Sequence, residues 1–225
     1  MPTKAILFDM DGVLFDSMPY HAQCWEQVCQ AEGLNLTRPE VYLHEGRTAK
    51  STIDLLARRC WGRDAEDEEV QRIYEAKCRL FNALPEAPAM EGADLVLKAA
   101  KDAGLIITLV TGSGQKSLLE RLNKAYPDYF VKERMVTSDD VQYGKPHPEP
   151  YLMGLQKSGV SAEEAIVVEN APLGIASAVA AGIYTIAVNT GPLAEQVLKD
   201  AGAAHVFPSM KAFAADFNEI VGRKP

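Results

Sequence analysis

Five tetrapeptides repeat one punctuation mark along the chain: A-E-G-L at 31–34, D-A-G-L at 102–105, K-S-G-V at 157–160, A-A-G-I at 180–183 and D-A-G-A at 200–203. Each sets a glycine after a helix-like stretch and before an apolar or small residue, as a helix does when it ends in a left-handed glycine. Four of the five run on into short apolar or β-branched segments at 106–110, 165–168, 183–188 and 206–207. With 5–8 and 135–137 they make six candidate strands. The runs do not alternate polar with apolar residues, so both faces of the sheet are expected to be buried. Strand, helix and strand in turn predict βαβ units and an α/β fold with a parallel sheet flanked by helices. The S-A-E-E box at 161–164 resembles a helix start but stands directly before a strand, so it is expected to cap only a short turn.

Residues 17–87 break this rhythm. Amphipathic, charged segments at 18–32, 49–61 and 66–84 succeed one another without strands between them, which predicts a helical insert after the first strand. The chain returns through the proline-rich L-P-E-A-P-A-M-E-G at 84–92. The expected organisation is one α/β unit made of 1–16 and 88–225, with a helical unit at 17–87. The two short connectors, 15–18 and 84–90, are expected to act as hinges.

Charge and composition narrow the classes of partner. The net charge is −8, from 31 acids against 23 scattered lysines and arginines, so the basic footprint of a nucleic-acid binder is missing. The apolar runs are too short for a membrane span. An acid at position 9 interrupts any signal-peptide apolar region, so a cytoplasmic protein is expected. The four cysteines, at 24, 29, 60 and 78, form no C-x-x-C pair and read as small apolar fillers in a reducing compartment.

In open parallel sheets ligands bind beyond the carboxyl ends of the strands. The residues just past each strand are therefore the informative ones. Asp9, Asp11 and Gly12 come after the first; T-G-S-G at 111–114 comes after the strand at 106–110; Lys145 lies in Y-G-K-P beyond the strand at 135–137; Glu169 and Asn170 come after the strand at 165–168. Singly, each has a plain structural explanation. An aspartate after a strand caps a turn, G-K-P is a solvated turn, and T-G-S-G lacks the full dinucleotide spacing. Their joint occurrence at successive strand ends is what carries weight. Crowded carboxylates repel, and a divalent cation with oxygen ligands, such as Mg²⁺, relieves them. A lysine and a hydroxyl beside them can hold phosphoryl oxygens, and an ionised aspartate can itself take a phosphoryl group. The chemistry implied is transfer of phosphate to Asp9 and then to water or another acceptor.

D-M-D-G-V-L-F-D-S, V-T-G-S, Y-G-K-P-x-P-E and V-E-N-A-P-x-G resemble, in order, the four motifs of the haloacid dehalogenase superfamily. The resemblance covers nearly the whole chain. The helical insert looks like that group's C1 cap, and the closest branch looks like the β-phosphoglucomutase-like phosphatases. The resemblance implies a Rossmann-like core with Asp9 as nucleophile. Asp11 is implied as general acid/base, also giving its backbone carbonyl to Mg²⁺, which Asp9, Glu169 and Asn170 help to hold. Thr111 and Lys145 are implied to orient the transferring group, with Gly112 and Ser113 at the substrate. Gly12 lets backbone pass close to phosphate. A monomer is the family default.

Two departures bear on the substrate. The fourth motif usually carries two acids, and here the second is Asn170, so the cation site has one negative charge fewer. The cap loop reads H-E-G-R-T-A-K at 44–50. Ala49 stands where β-phosphoglucomutases usually carry a phosphate-clamping arginine, Arg47 is displaced by two, and Glu45 precedes the glycine. His21 and Lys77 match residues that the mutases use. H-E-G-R-T looks like a signature of a bacterial branch associated with inorganic pyrophosphate hydrolysis. The expected function is a Mg²⁺-dependent phosphohydrolase acting on a small anionic phosphate, pyrophosphate favoured. A β-phosphoglucomutase or sugar-phosphate phosphatase is the alternative. A phosphorelay receiver also gathers acids, a hydroxyl and a lysine, but it lacks the acid two residues after the phosphorylated aspartate and has no helical insert.

Overall fold

In the computed structural model, which describes residues 2–113 and 118–222, six strands form one parallel sheet in the order β3-β2-β1-β4-β5-β6. They are β1 (Ala5–Phe8), β2 (Ile106–Val110), β3 (Met135–Val136), β4 (Ala165–Glu169), β5 (Tyr184–Val188) and β6 (His205–Phe207). Strand β1 is central. Ala5 aligns with Ile106 on one side and Ala165 on the other, and Phe8 with Leu109 and Val168. All four β1 side chains are buried, and they alternate between two clusters. Ile6 and Phe8 join the side covered by α5 (Ala93–Asp102), α6 (Leu118–Ala125) and α10 (Met210–Gly222). Ala5 and Leu7 join the side covered by α7 (Glu149–Ser158) and α8 (Pro172–Ala180). Burial on both faces explains the unbroken apolar runs.

Four helices, α1 (Met18–Ala31), α2 (Arg38–His44), α3 (Ala49–Trp61) and α4 (Asp67–Ala83), pack around a separate apolar cluster that includes Val28, Ile53, Leu56 and Ile73. Three of these match the predicted segments within two residues. Helix α2 was not expected. It spans seven residues, begins with a proline in its first turn, and buries only Val41, too little apolar periodicity to read from sequence. The two connectors run side by side: Asp16 N–H donates to Pro88 carbonyl at 3.0 Å, and Met90 N–H to Leu14 carbonyl at 2.8 Å.

The five punctuating glycines, Gly33, Gly104, Gly159, Gly182 and Gly202, all have positive φ. The S-A-E-E box forms a reciprocal cap on one short 3₁₀ turn, Ala162–Glu164, as expected. The cysteine reading needs one correction. None of the four is in a disulfide and Cys24 and Cys29 are buried, but Cys60 is exposed on α3, where its sulfur accepts the Asn35 N–H at 3.2 Å. The Lys145–Pro146 bond is cis. Gly114 and the fraying expected of the C-terminal G-R-K-P beyond Gly222 lie outside the described residues. No described helix is long and apolar enough to cross a membrane.

One glycine outside the repeated pattern locks two helices of the core together. Gly92 starts α5 with φ +86°, and a Cβ there would stand 2.6 Å from the backbone nitrogen of Lys211 in α10. Both the backbone angle and the space exclude a side chain. Gly92→Ala is expected to destabilise the protein by about 2–3 kcal/mol, lowering the melting temperature by roughly 4–12 °C. A thermal melt indistinguishable from the parent protein would contradict this packing.

Candidate active site

The loop after β1 is wound tightly by its own backbone. Val13, Leu14 and Phe15 N–H groups all donate to Met10 carbonyl, and Gly12 N–H to Phe15 carbonyl. Gly12 has φ +84°, and any Cβ there would overlap the Asn170 amide. The glycine therefore lets the Asp9–Asp11 loop close against the loop after β4.

Lys145 comes up from the loop before α7 and is buried. Its ammonium donates to Asp9 Oδ1 at 2.5 Å, to Glu169 Oε1 at 2.6 Å and to the Val110 carbonyl at 3.3 Å. Glu169 is held on both oxygens. Oε1 also accepts the Tyr151 hydroxyl at 3.0 Å, and Oε2 accepts the Asn170 and Ala171 N–H groups at 2.8 and 3.0 Å. Asp11 Oδ1 accepts the Ser17 hydroxyl at 2.5 Å and lies 3.3 Å from His21 Nε2. Lys77 Nζ is 2.9 Å from His21 Nδ1. A lysine ammonium only donates, so this contact places the imidazole proton on Nε2, facing Asp11. Thr111 is buried after β2, where its hydroxyl accepts the Ser113 N–H at 3.1 Å.

From the helical layer, the loop after α2 reaches across to the sheet. Asn170 Nδ2 donates to Glu45 Oε2 at 3.0 Å. Gly46 lies against the Lys145 side chain, and Gly144 against Thr48, each too close for a Cβ without displacement. Arg47 Nη1 donates to Ser51 Oγ at 3.1 Å, while its buried Nε has no partner among the described residues. A cavity between the layers is lined at its polar end by Asp9, Asp11, His21, Glu45, Arg47, Lys77, Thr111, Gly112 and Ser113. Trp25, Leu36, Val41, Tyr74 and Phe81 form its apolar wall. The four remaining expected residues, Gly12, Lys145, Glu169 and Asn170, sit just beneath. All thirteen expected site residues thus converge on one end of the sheet, and Ala49 lines the same cavity.

The electrostatics are those of an acid-rich pocket in which Lys145 is the cation that acts on Asp9. Burial, partly offset by Lys145, pushes the Asp9 carboxyl up to about 8. Burial, reinforced by Asp9, Glu169 and Asp11, pushes Glu45 well above the usual carboxylate range. Burial also opposes ionisation of Asp11, but His21 and Ser17 outweigh it and hold Asp11 below that range. Lys145 is likewise disfavoured by burial, yet Asp9 and Glu169 more than compensate and keep it protonated.

Two buried oxygens have no hydrogen-bond partner among the described residues: Asn170 Oδ1 and Glu45 Oε1. Unpartnered hard oxygens beside Asp9 and Asp11 fit an oxygen-liganded divalent cation. Among the described residues, no three His, Cys, Asp or Glu side chains form a ready-made metal cage.

Several contributors were not anticipated from sequence. Ser17 and Tyr151 contact expected residues, and Thr190 Oγ1 donates to Gly12 carbonyl at 2.6 Å, securing the Asp9–Gly12 loop from the end of β5. Gly174 faces the Glu169 carboxylate. Ser17 closes the D-M-D-G-V-L-F-D-S motif and Gly174 closes V-E-N-A-P-x-G, so both carried a local signal. Tyr151 and Thr190 carry none, because their partners lie 18 and 178 residues away.

The comparisons with known proteins agree with this geometry. A family model described as haloacid dehalogenase-like hydrolase matches residues 6–188. Hexitol phosphatase A of Escherichia coli (strain K12) is 31% identical over 190 residues, covering 84% of this chain and 84% of that protein. A phosphorylated carbohydrates phosphatase of Thermotoga maritima is 31% identical over 184 residues, covering 81% and 83%. A putative β-phosphoglucomutase from Bacteroides vulgatus superposes with a TM-score of 0.94 at 52% identity, over 98% of this chain and 89% of that one. The chain belongs to the haloacid dehalogenase-like hydrolase family, where it is a phosphatase or phosphotransferase with β-phosphoglucomutase-like structural neighbours.

Proposed function

We propose that the protein hydrolyses a small phosphate substrate through a phosphoryl group carried on Asp9, and that inorganic pyrophosphate is the preferred substrate. The helical unit at 17–87 acts as a cap on the α/β core of 1–16 and 88–225. The observation that carries the substrate reading is the hydrogen bond from Asn170 to Glu45 at 3.0 Å. It brings an acid from the loop after α2 beside Asn170, where in this reading it adds an oxygen for a cation and a negative group that disfavours a second phosphate arm. Ala49 on the cavity wall, in place of a clamping arginine, favours hydrolysis over a mutase cycle.

In this reading Lys145 holds Asp9 Oδ1 and leaves Oδ2 to attack phosphorus. The P–O bond to the leaving group breaks, and the phosphoryl group is left on Asp9. Thr111 and the backbone of Gly112 and Ser113 receive the phosphoryl oxygens. In the second step water attacks phosphorus, the P–O bond to Asp9 Oδ2 breaks, and phosphate leaves with the Asp9 carboxylate restored; Asp11, with Oδ1 taken up by Ser17 and His21, has Oδ2 free to accept the proton of that water. Arg47 and Lys77 face the leaving group across the cavity. Phosphate is a much weaker base than an alkoxide, so a strongly ionised Asp11 suits pyrophosphate, whose departure needs little protonation. Asp9, the Asp11 backbone carbonyl and Asn170 would hold Mg²⁺, with Glu169 contributing charge, and the cation would neutralise the phosphoryl oxygens. The unpaired cysteines support a cytoplasmic setting; we expect a monomer.

A second reading, a sugar-phosphate phosphatase, is favoured by the aromatic wall of Trp25, Tyr74 and Phe81 and by the curated relatives. One substrate panel separates the two. With Mg²⁺, pyrophosphate is expected to give the highest kcat/KM in a set that includes hexitol phosphates and β-glucose 1-phosphate. Glu45→Ala is expected to cut the pyrophosphate value by about tenfold, or ~1.4 kcal/mol of transition-state binding, and to spare hexitol phosphate. A hexitol phosphate that outperforms pyrophosphate in the parent protein selects the second reading.

Asn170 supplies a neutral oxygen where an acid is usual. Asn170→Asp restores that charge, and ligand charge tunes divalent affinity. The variant is expected to need roughly tenfold less Mg²⁺ for half-maximal rate and for half-maximal thermal stabilisation. An unchanged Mg²⁺ requirement in both assays removes Asn170 from the cation site.

A further inference from the structure

Lys145 divides its ammonium between two carboxylates, at 2.5 Å from Asp9 and 2.6 Å from Glu169. How it divides depends on how well Glu169 is satisfied by other donors. Tyr151, in the first turn of α7, is fully buried beneath both groups. Its hydroxyl donates to Glu169 Oε1 at 3.0 Å, and the Lys145 ammonium lies 5.1 Å from the centre of its ring. One side chain therefore touches each end of the Lys145–Glu169 pair, through a hydrogen bond at one end and a cation–π contact at the other. The opposite flank is closed by α8. A Cβ at Gly174 would overlap the Glu169 carboxylate, so the carboxylate can tuck against that helix only because position 174 has no side chain.

We propose that Tyr151 and Gly174 are positioning residues for the nucleophile: they fix and partly neutralise Glu169, so that Lys145 keeps its short contact with Asp9. The proposal rests on the reading of Asp9 and Lys145 as the transfer pair. A neutral phenol is suited to the task because it donates to Glu169 without adding a second positive charge that would compete with Lys145. Without it, Glu169 Oε1 has the ammonium alone and draws it away from Asp9. A hydrogen bond to a charged group is among the stronger ones in a protein, so its loss is expected to be measurable.

Two substitutions test this. Tyr151→Phe keeps the ring and its contact with Lys145 but removes the hydroxyl. Gly174→Ala displaces Glu169 from the other side while improving helix propensity in α8, so lost activity cannot be laid to a weaker helix. Both are assayed on whichever of pyrophosphate and hexitol phosphate the parent protein turns over faster, so a wrong substrate preference does not obscure the result. Tyr151→Phe is expected to lower kcat about tenfold with KM within about twofold, and Gly174→Ala to lower kcat by at least as much. Because both act through Glu169, the double variant is expected to fall well short of the product of the two losses. Parent-like kcat in either single variant overturns the proposal. So does a double variant whose losses multiply in full, the result expected of two independent packing defects.

Discussion

The buried ammonium of Lys145 ties together the acids at the end of the sheet. Lys145 sits between Asp9 and Glu169 with almost no exposure to water, and both contacts are shorter than an ordinary hydrogen bond. Removing one partner from a buried ion pair costs about 3–5 kcal/mol, because the remaining charge is left uncompensated. Two aspects of the site reflect that cost. Asp9 and Glu169 crowd together with Lys145 between them, and Lys145 touches neither Asp11 nor Glu45 by hydrogen bond among the described residues. Of the acids, Lys145 thus meets only Asp9 and Glu169, and Glu45 and Asp11 add further ones to the same site; a divalent cation would offset that surplus of carboxylates. The parallel sheet makes the arrangement possible by delivering β1, β2 and β4 to a common edge, with Lys145 reaching in from the loop ahead of α7.

The helical layer meets this edge through residues with little or no side chain. Gly46 and Gly144 allow the loop after α2 to lie close to Lys145 and its neighbours, and Gly191 seats Tyr42 of α2. Glu45 is the exception, a charged group carried into the interface and hydrogen-bonded to Asn170. Two paired connectors, tied by the Asp16–Pro88 and Met90–Leu14 hydrogen bonds, attach the layer to the sheet. In the proposed cap, short antiparallel connectors of this kind are where a pivot would act.

The sheet was legible in the sequence because its code is local. Glycines that end helices and unbroken apolar runs each report on a few neighbouring residues, and the six strands moved by no more than one or two residues at their ends. The acids and the lysine were legible because strand ends converge in a parallel sheet whatever the details of packing. Helix α2 was not, since seven residues with one buried side chain leave no periodicity to detect. Cys60 misled because composition says nothing about which face of α3 a residue occupies. The Tyr151–Glu169 and Thr190–Gly12 contacts were invisible for a different reason: they join segments whose proximity exists only after the sheet has formed.

If Asp9 is the centre of phosphoryl transfer, chemical trapping will show it directly. The protein is mixed briefly with Mg²⁺ and pyrophosphate labelled in phosphorus, quenched in acid, digested and mapped by mass spectrometry. The expected result is a hydroxylamine-sensitive phosphoryl group on the peptide carrying Asp9, absent when Asp9 is replaced by asparagine. Turnover with the label found on any other residue, or with no labelled peptide at any quench time, would contradict it.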